Sequence, residues 1–459
     1  MTSWTYSREL PVSEPVDVLV AGAGPAGIAA AVAAARRGAR TTLVERFGFL
    51  GGNLTAGLVG PCMTSYSLDG SRQLIRGVFE EFVQRMEALG GAIHPSKTQA
   101  GDPYAGFITY GHDKVTPFEP ETAKSVAMEM CLDAGVTLLL HTFIADVISE
   151  DGRVNGVVCA SKSGLHVQPA QIFVDCTADG DVAARGGADT VFGREGDGLV
   201  QPMTVFFRIS DVDDERVEQY VRSHPDDIRP FASIVEKARA QGRFPAPRRG
   251  VGMYKTLRSG VWRINTTRVL GRDGTNAQDL TSAEIEGRRQ VDELMRFFRE
   301  NLPGFERCEL LDTASTVGVR ETRRVVGDYV LSLEDLQEGR HFDDVIALCA
   351  YPVDIHDPAG AGGGVDDSFG TANYYEIPYR CLLPSEVENL LVAGRCVSAT
   401  HEALAAIRVM PPSFAMGEAA GTAAALACAD NLTLRQLPVP DLQHALVDQG
   451  GYLGEVLRP

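Results

Sequence analysis

The chain has no pair of cysteines spaced as CxxC, and its nine cysteines are an odd number scattered from Cys62 to Cys428. That argues against a sequence-local redox disulfide and predicts reduced, mostly buried thiols, with Cys159, Cys176, Cys349 and Cys396 lying in apolar strand-like runs. Metal-ligand spacing is missing too. Asp354-Ile355-His356-Asp357 has no second His or Cys pair near it, so no metal is expected. No apolar run approaches the roughly 18 residues of a membrane span. The first sixteen residues, MTSWTYSRELPVSEPV, carry charges and prolines where a signal peptide has its apolar core, so a cytoplasmic protein with no membrane partner is expected. Positive charge is in deficit, with 43 Lys and Arg against 61 Asp and Glu, a net charge of −18. Such a balance disfavours nucleic acid and anionic membrane as partners, although a local pocket can oppose the global sign. A length of 459 residues allows two or three domains, and 44% hydrophobic residues is ordinary for a soluble protein.

What the chain does have is concentrated in Asp17 to Arg46, DVLVAGAGPAGIAAAVAAARRGARTTLVER. An apolar, β-branched run, Asp17 to Ala21, leads straight into Gly22-Ala23-Gly24-Pro25-Ala26-Gly27 and an alanine-rich helix. In a dinucleotide turn Gly22 permits the tight bend, Gly24 lets the backbone approach a pyrophosphate, and Gly27 lets the helix lie close on the strand. Pro25 and Ala26 open a helix whose N–H groups and positive dipole end face the anion. Glu45, beside Arg46, closes the second strand 18 residues beyond Gly27, where a carboxylate accepts hydrogen bonds from ribose hydroxyls and disfavours a 2′-phosphate. FAD or NAD is therefore expected rather than NADP. The loop that follows carries Gly51, Gly52 and Asn53 and is expected to pass back over the pyrophosphate.

Further along, Glu119-Pro120-Glu121 opens a helix to about Ala134, a strand covers 136–140, and short strands with Gly turns between 141 and 174 read as an antiparallel meander. Residues 196–380 have a different texture, with strands near 204–209 and 261–267 and charged helical stretches at 211–241 and 281–301. The α/β texture resumes at Asn389 to Gly394, followed by a loop 395–412 and a small-residue helix 413–428. The expected architecture is α/β: a discontinuous Rossmann-like dinucleotide domain, 1–195 and 381–440, with parallel sheet and β-meander. An inserted α+β substrate or cap domain, 196–380, and a C-terminal tail, 441–459, complete it.

The order of these motifs resembles the FAD-dependent oxidoreductases with a glutathione-reductase type of FAD domain. Four segments carry the resemblance: AGAGPAGIAAAVAAARRG with Glu45, VDCTADGDVAARGGA at 174–188, GVRETRRVVGDYVLSLEDL at 318–336, and the stretch 377–427 from IPYRCLLPSEVENLLVAGRC to GEAAGTAAALA. The resemblance implies FAD as cofactor. It further implies that Gly394 and Arg395 end the return strand beside the cofactor, that the helix starting near Pro412-Ser413 faces the flavin pyrimidine edge, and that the loop between borders the isoalloxazine. By the same resemblance Phe143 or Ile144 offers backbone groups to the adenine. Thr177 and Asp179 or Asp181 lie near the ribityl or pyrophosphate region. The chain has Thr177-Ala178 where many relatives have threonine-glycine.

Flavin chemistry needs positioning and a proton handler, since the cofactor itself exchanges the hydride. His401, in the flavin-facing loop, reads as active-site base or loop-fixing hydrogen bonder, and His356, in PVDIHDP, is the second candidate. The other seven histidines read as surface or structural. Arg320 is the member of VGVRETRRVVG expected to reach a substrate carboxylate, with Arg323 and Arg324 read as ion-pairing residues. Arg408 is expected to touch flavin or substrate, and Tyr374 and Tyr375 to cap the pocket or pack at its edge. Cys62 is a weaker candidate for a flavin-side thiol. The leading expectation is hydride transfer between a small organic substrate and flavin N5, with an external electron acceptor or donor. A monooxygenase in which reduced flavin captures O₂ is the alternative, and a redox-neutral flavoprotein a third. No second strand-linked GxGxxG exists for NAD(P)H, because Gly360 to Gly364 follows a proline and lacks a helix. Whether two copies of the chain associate is left open.

Overall fold

In the computed structural model, which describes residues 4, 5, 7–366 and 373–454, five parallel strands form one sheet from segments far apart in sequence. Residues 455–459 of the expected tail, and 1–3 and 6 of the N-terminal stretch, lie outside the described residues. The order across the sheet is Leu390–Val392, Ala170–Asp175, Val16–Ala21, Thr41–Val44 and Thr137–Leu139. Strand Val16–Ala21 occupies the centre because its β-branched run can be buried on both faces. Val18 and Val20 join a helical core, whereas Leu19 and Ala21 join a second core with Val157 and Cys159 of the meander. That meander is the antiparallel set Phe143–Glu150, Arg153–Ser161 and Gly164–Gln168.

The first helix, Pro25–Arg36, and the return helix, Met410–Asp430, pack unusually close on one face of the sheet. A Cβ on Gly417 would stand 2.1 Å from the Ala26 carbonyl oxygen, and one on Gly421 would stand 2.0 Å from that of Ala30. The contacts advance four residues along both helices together, so the helices run parallel and present their N-termini to the same end of the sheet. The return helix starts at Met410, earlier than the sequence suggests. Pro411 and Pro412 are accommodated in its first turn, where the missing N–H groups have no intrahelical partner to lose.

A separate four-stranded antiparallel sheet is ordered Met253–Lys255, Trp262–Ile264, Phe207–Ser210, Glu309–Thr313. Helix Ala277–Asn301 covers it through Val291, Leu294 and Phe298, which cluster with Phe207, Ile209 and Trp262. Charged helical texture at 211–241 resolves into two shorter helices, Asp214–Ser223 and Ala232–Ala240. The antiparallel strand pair Val345–Cys349 and Tyr375–Pro378 sends Ile346, Cys349 and Ile377 into the same core as the first and return helices, although its sequence texture groups it with the substrate region. Among the described residues no helix is long and apolar enough to cross a membrane.

Glu418 of the return helix is buried and accepts the Val78 N–H at 3.0 Å, while its other oxygen has no hydrogen-bond partner among the described residues. Burial raises its pKa from 4.5 to about 7. The folded state therefore holds this proton more tightly than the unfolded chain, and the stabilisation is complete below the unfolded value and lost as pH rises through about 7. Glu418→Gln is expected to remove that decline and to gain about 3 kcal/mol relative to the parent at pH 8. Denaturant titrations of both proteins at pH 5 and pH 8 check it, and parallel pH slopes would contradict it.

Candidate active site and cofactor cleft

A cleft of about 1870 Å³ opens where the first helix, the glycine turn and the meander meet. Gly22 has φ +90°, and a Cβ there would stand 2.6 Å from the Cys176 carbonyl oxygen, so the turn admits glycine alone. At Gly24, which borders the cleft, the Cβ position is open, with no atom within 4 Å. That bare backbone beside the helix N-terminus is what a pyrophosphate requires. Gly51 N–H donates to the Ala23 carbonyl at 2.8 Å and draws the glycine loop over the turn, placing Gly52 and Asn53 in the cleft wall. Gly51 itself faces Thr55, and Gly27 backs onto the Gly22 carbonyl, so both shape the cleft from behind.

Glu45 is fixed by two backbone donors, Ala23 N–H at 2.8 Å to one oxygen and Phe47 N–H at 2.9 Å to the other. Burial raises its pKa against those bonds. Pro25, Ala26, Arg46, Phe143, Ile144, Thr177, Asp181, Gly394 and Arg395 all border the cleft. Thr177 is set by the buried Asp175, which accepts its N–H at 2.9 Å and its hydroxyl at 2.6 Å. Arg395 pairs with Asp179 at 2.8 Å, and Arg323 pairs with Asp181 at 2.6 Å. Pro412 does not border the cleft. Met410 and Ser413 do, because the helix begins two residues sooner than expected.

The cleft adjoins a second cavity of about 1120 Å³, and Asn53, Val319, Arg395, Arg408 and Met410 line both. The rest of its wall comes from the loops around Val59–Met63 and Tyr110–His112, from Arg229 and Arg248, from residues in and beside the antiparallel sheet, and from the segment Tyr351 to His356. His356 Nε2 lies 3.3 Å from Asp354 Oδ2, which also accepts the Tyr351 hydroxyl at 3.1 Å. Burial, reinforced by the Arg320 and Arg248 charges, lowers the His356 pKa to about 3 against the pull of Asp354, so the imidazole is neutral at pH 7. Burial would raise the Asp354 carboxyl, but His356 and Arg408 override it and hold it well below the ordinary value. Arg408 donates to the Gln201 side chain at 3.3 Å and to the Asp354 carbonyl at 3.2 Å.

Two residues expected at the reaction centre lie elsewhere. His401 is the first residue of a short helix, His401–Ile407, and borders neither cavity. Its Nδ1 is 2.8 Å from the fully buried Glu321, which also pairs with Arg324, so it belongs to a buried structural cluster. Tyr375 is buried behind the cavity wall, donating its hydroxyl to the Tyr351 carbonyl at 3.0 Å. Cys62 borders neither cavity, and burial pushes its thiol up to about 12. Sequence reasoning passed over His112, Arg229, Arg248 and Tyr254, all of which line the second cavity. His112 was grouped with structural histidines, yet its only anomaly, a Gly-His-Asp-Lys loop, carries no spacing signal.

With this geometry in place, the comparisons define the class. The model of the family described as FAD dependent oxidoreductase matches residues 17–446, and the chain belongs to that family. It is an α/β flavoenzyme, an FAD-dependent oxidoreductase. Curated relatives include a thiamine thiazole synthase of Aeropyrum pernix, 31% identical over 183 residues, with 37% of this chain and 57% of that protein covered. A thiamine thiazole synthase of Pyrococcus abyssi is 26% identical over 189 residues, with 39% and 64% covered. The chain thus spans between about half and two thirds of the length of these relatives. Among solved structures, a geranylgeranyl bacteriochlorophyll reductase-like protein of Thermoplasma acidophilum matches with TM-score 0.45 and 13% identity, covering 95% of this chain and 84% of that one.

The Thr-Ala departure has a visible consequence. Ala178 adopts φ +71°, in the left-handed region where a Cβ costs about 1 kcal/mol or more. Ala178→Gly is expected to raise the melting temperature by about 1 °C while FAD stays bound; a lower melting temperature would contradict the strain.

Proposed function

We propose that the protein oxidises a small organic substrate held in the second cavity, with hydride passing to FAD in the adjoining cleft and the substrate proton to His356. The observation that carries this reading is the shared wall: Arg395, Arg408 and Met410 border both spaces, and the His356–Asp354 pair lies in the one on the substrate side. FAD, when bound, supplies the hydride acceptor, and an external acceptor later removes the electrons. Gly24 and the first-turn N–H groups of Pro25–Arg36 would hold its pyrophosphate, and Glu45 its ribose. The N-terminus of Met410–Asp430 would place its positive helix end where it could stabilise negative charge.

A neutral imidazole can take a proton. With Nε2–H directed at Asp354, the ring is held in one tautomer, and Nδ1, which has no hydrogen-bond partner among the described residues, is the accepting atom. Asp354 then stabilises the imidazolium. Arg408, which borders both cavities, keeps Asp354 ionised.

Anaerobic mixing of holoenzyme with a turned-over substrate, read as loss of the oxidised flavin band, tests the assignment. His356→Ala is expected to slow that step by about 10²- to 10⁴-fold with FAD content unchanged. His401→Gln, by contrast, is expected to lower the melting temperature and leave the step within a few fold. Equal rates for His356→Ala and parent would remove His356 from the chemistry. Product formation that strictly requires O₂ and incorporates it would favour the monooxygenase instead.

A further inference from the structure

Five arginines line the second cavity of a chain whose net charge is −18, and among the described residues the one carboxylate in the same wall is Asp354. Their partners are unequal. Arg395 has Asp179 at 2.8 Å, and Arg408 has Asp354 at 3.9 Å. Arg320 donates to neutral oxygens: the Pro202 carbonyl at 2.5 Å, the Thr204 hydroxyl at 2.7 Å and Asn265 Oδ1 at 3.4 Å. Arg248 donates to that same Asn265 oxygen at 3.0 Å, and its buried Nε has no hydrogen-bond partner among the described residues. Two guanidiniums therefore stand side by side on one amide oxygen, and among the described residues no carboxylate pairs with either.

An uncompensated pair of cations in a sheltered cavity is costly, because burial removes water and each charge repels the other. The cost is visible in their acidity: burial first, and then neighbouring arginines, lower Arg248 to about 9 and Arg320 well below its ordinary value. Two planar forks on one side of a cavity match the two oxygens of a carboxylate. Val59, Phe206 and Met410 in the same wall favour an organic body attached to it.

We propose that the substrate is an organic carboxylate whose carboxyl group is clamped by Arg248 and Arg320. This rests on the functional reading above and names the substrate class of that site. It also couples binding to chemistry. The two arginines are among the charges that keep His356 from accepting a proton, so an anion that neutralises them makes the imidazole a stronger base when substrate is present.

The test uses acetate, benzoate and succinate against acetamide and benzamide, reading the melting temperature of FAD-loaded and FAD-stripped protein. The expected result is a saturable rise with carboxylates and none with amides, in both forms. Arg248→Met and Arg320→Met are each expected to weaken the carboxylate effect about tenfold or more and, without anion, to melt no lower than the parent. Arg248→Lys, which keeps the charge, retains part of the effect. Equal responses to acids and amides, no response to any acid, or variants that keep the full response would overturn the clamp. Variants that melt lower without anion would show structural cations and overturn it too. Failure to bind FAD at all would overturn the functional reading and leave the anion result standing, since the stripped protein reports it separately.

Discussion

The backbone contact between the first helix and the return helix is the constraint on which the rest depends. Gly417 and Gly421 let the return helix lie directly on the Ala26 and Ala30 carbonyls. Gly417 is the eighth residue of its helix, whereas Ala26 is the second of its own. At 1.5 Å per residue the return helix therefore projects about 9 Å beyond the first at its N-terminal end. Two positive helix ends, staggered along one cleft, suit a ligand with an anionic centre at one point and a charge-accepting ring further on. A side chain at either glycine would spread the helices and misalign both ends.

Beyond the outer helix end the electrostatics change sign. The chain as a whole is strongly acidic, yet the cavity past Met410 concentrates guanidiniums. These cations and burial act together on His356, keeping it neutral, while Asp354 keeps its ring oriented. In the proposed function the same arginines would serve as anchor and as brake on the base, a coupling that a neutral pocket could not provide.

Much of the cofactor side was legible in the sequence because its determinants are local. Gly22, Gly24 and Glu45 act within one strand-turn-helix-strand unit, and their spacing encodes the geometry directly. The return strand and helix were legible through small-residue composition, with an error of two residues at Pro412 because prolines in a first turn look like a loop. The substrate side was not legible to the same degree. Arg248, Tyr254, His112 and His356 come from separate sheets and loops and meet only through tertiary packing. His401 misled for the same reason: its partner, Glu321, lies eighty positions away and makes the candidate base part of a buried hydrogen-bonded cluster.

The central claim is that a carboxylate substrate in the arginine-lined cavity delivers electrons to FAD in the adjoining cleft. Anaerobic absorbance of the oxidised flavin band, followed while a panel of small carboxylic acids and their neutral methyl esters is added to holoenzyme, tests it most directly. The account predicts bleaching by members of the acid series and none by the matching esters. Bleaching by esters as fast as by their acids would contradict it.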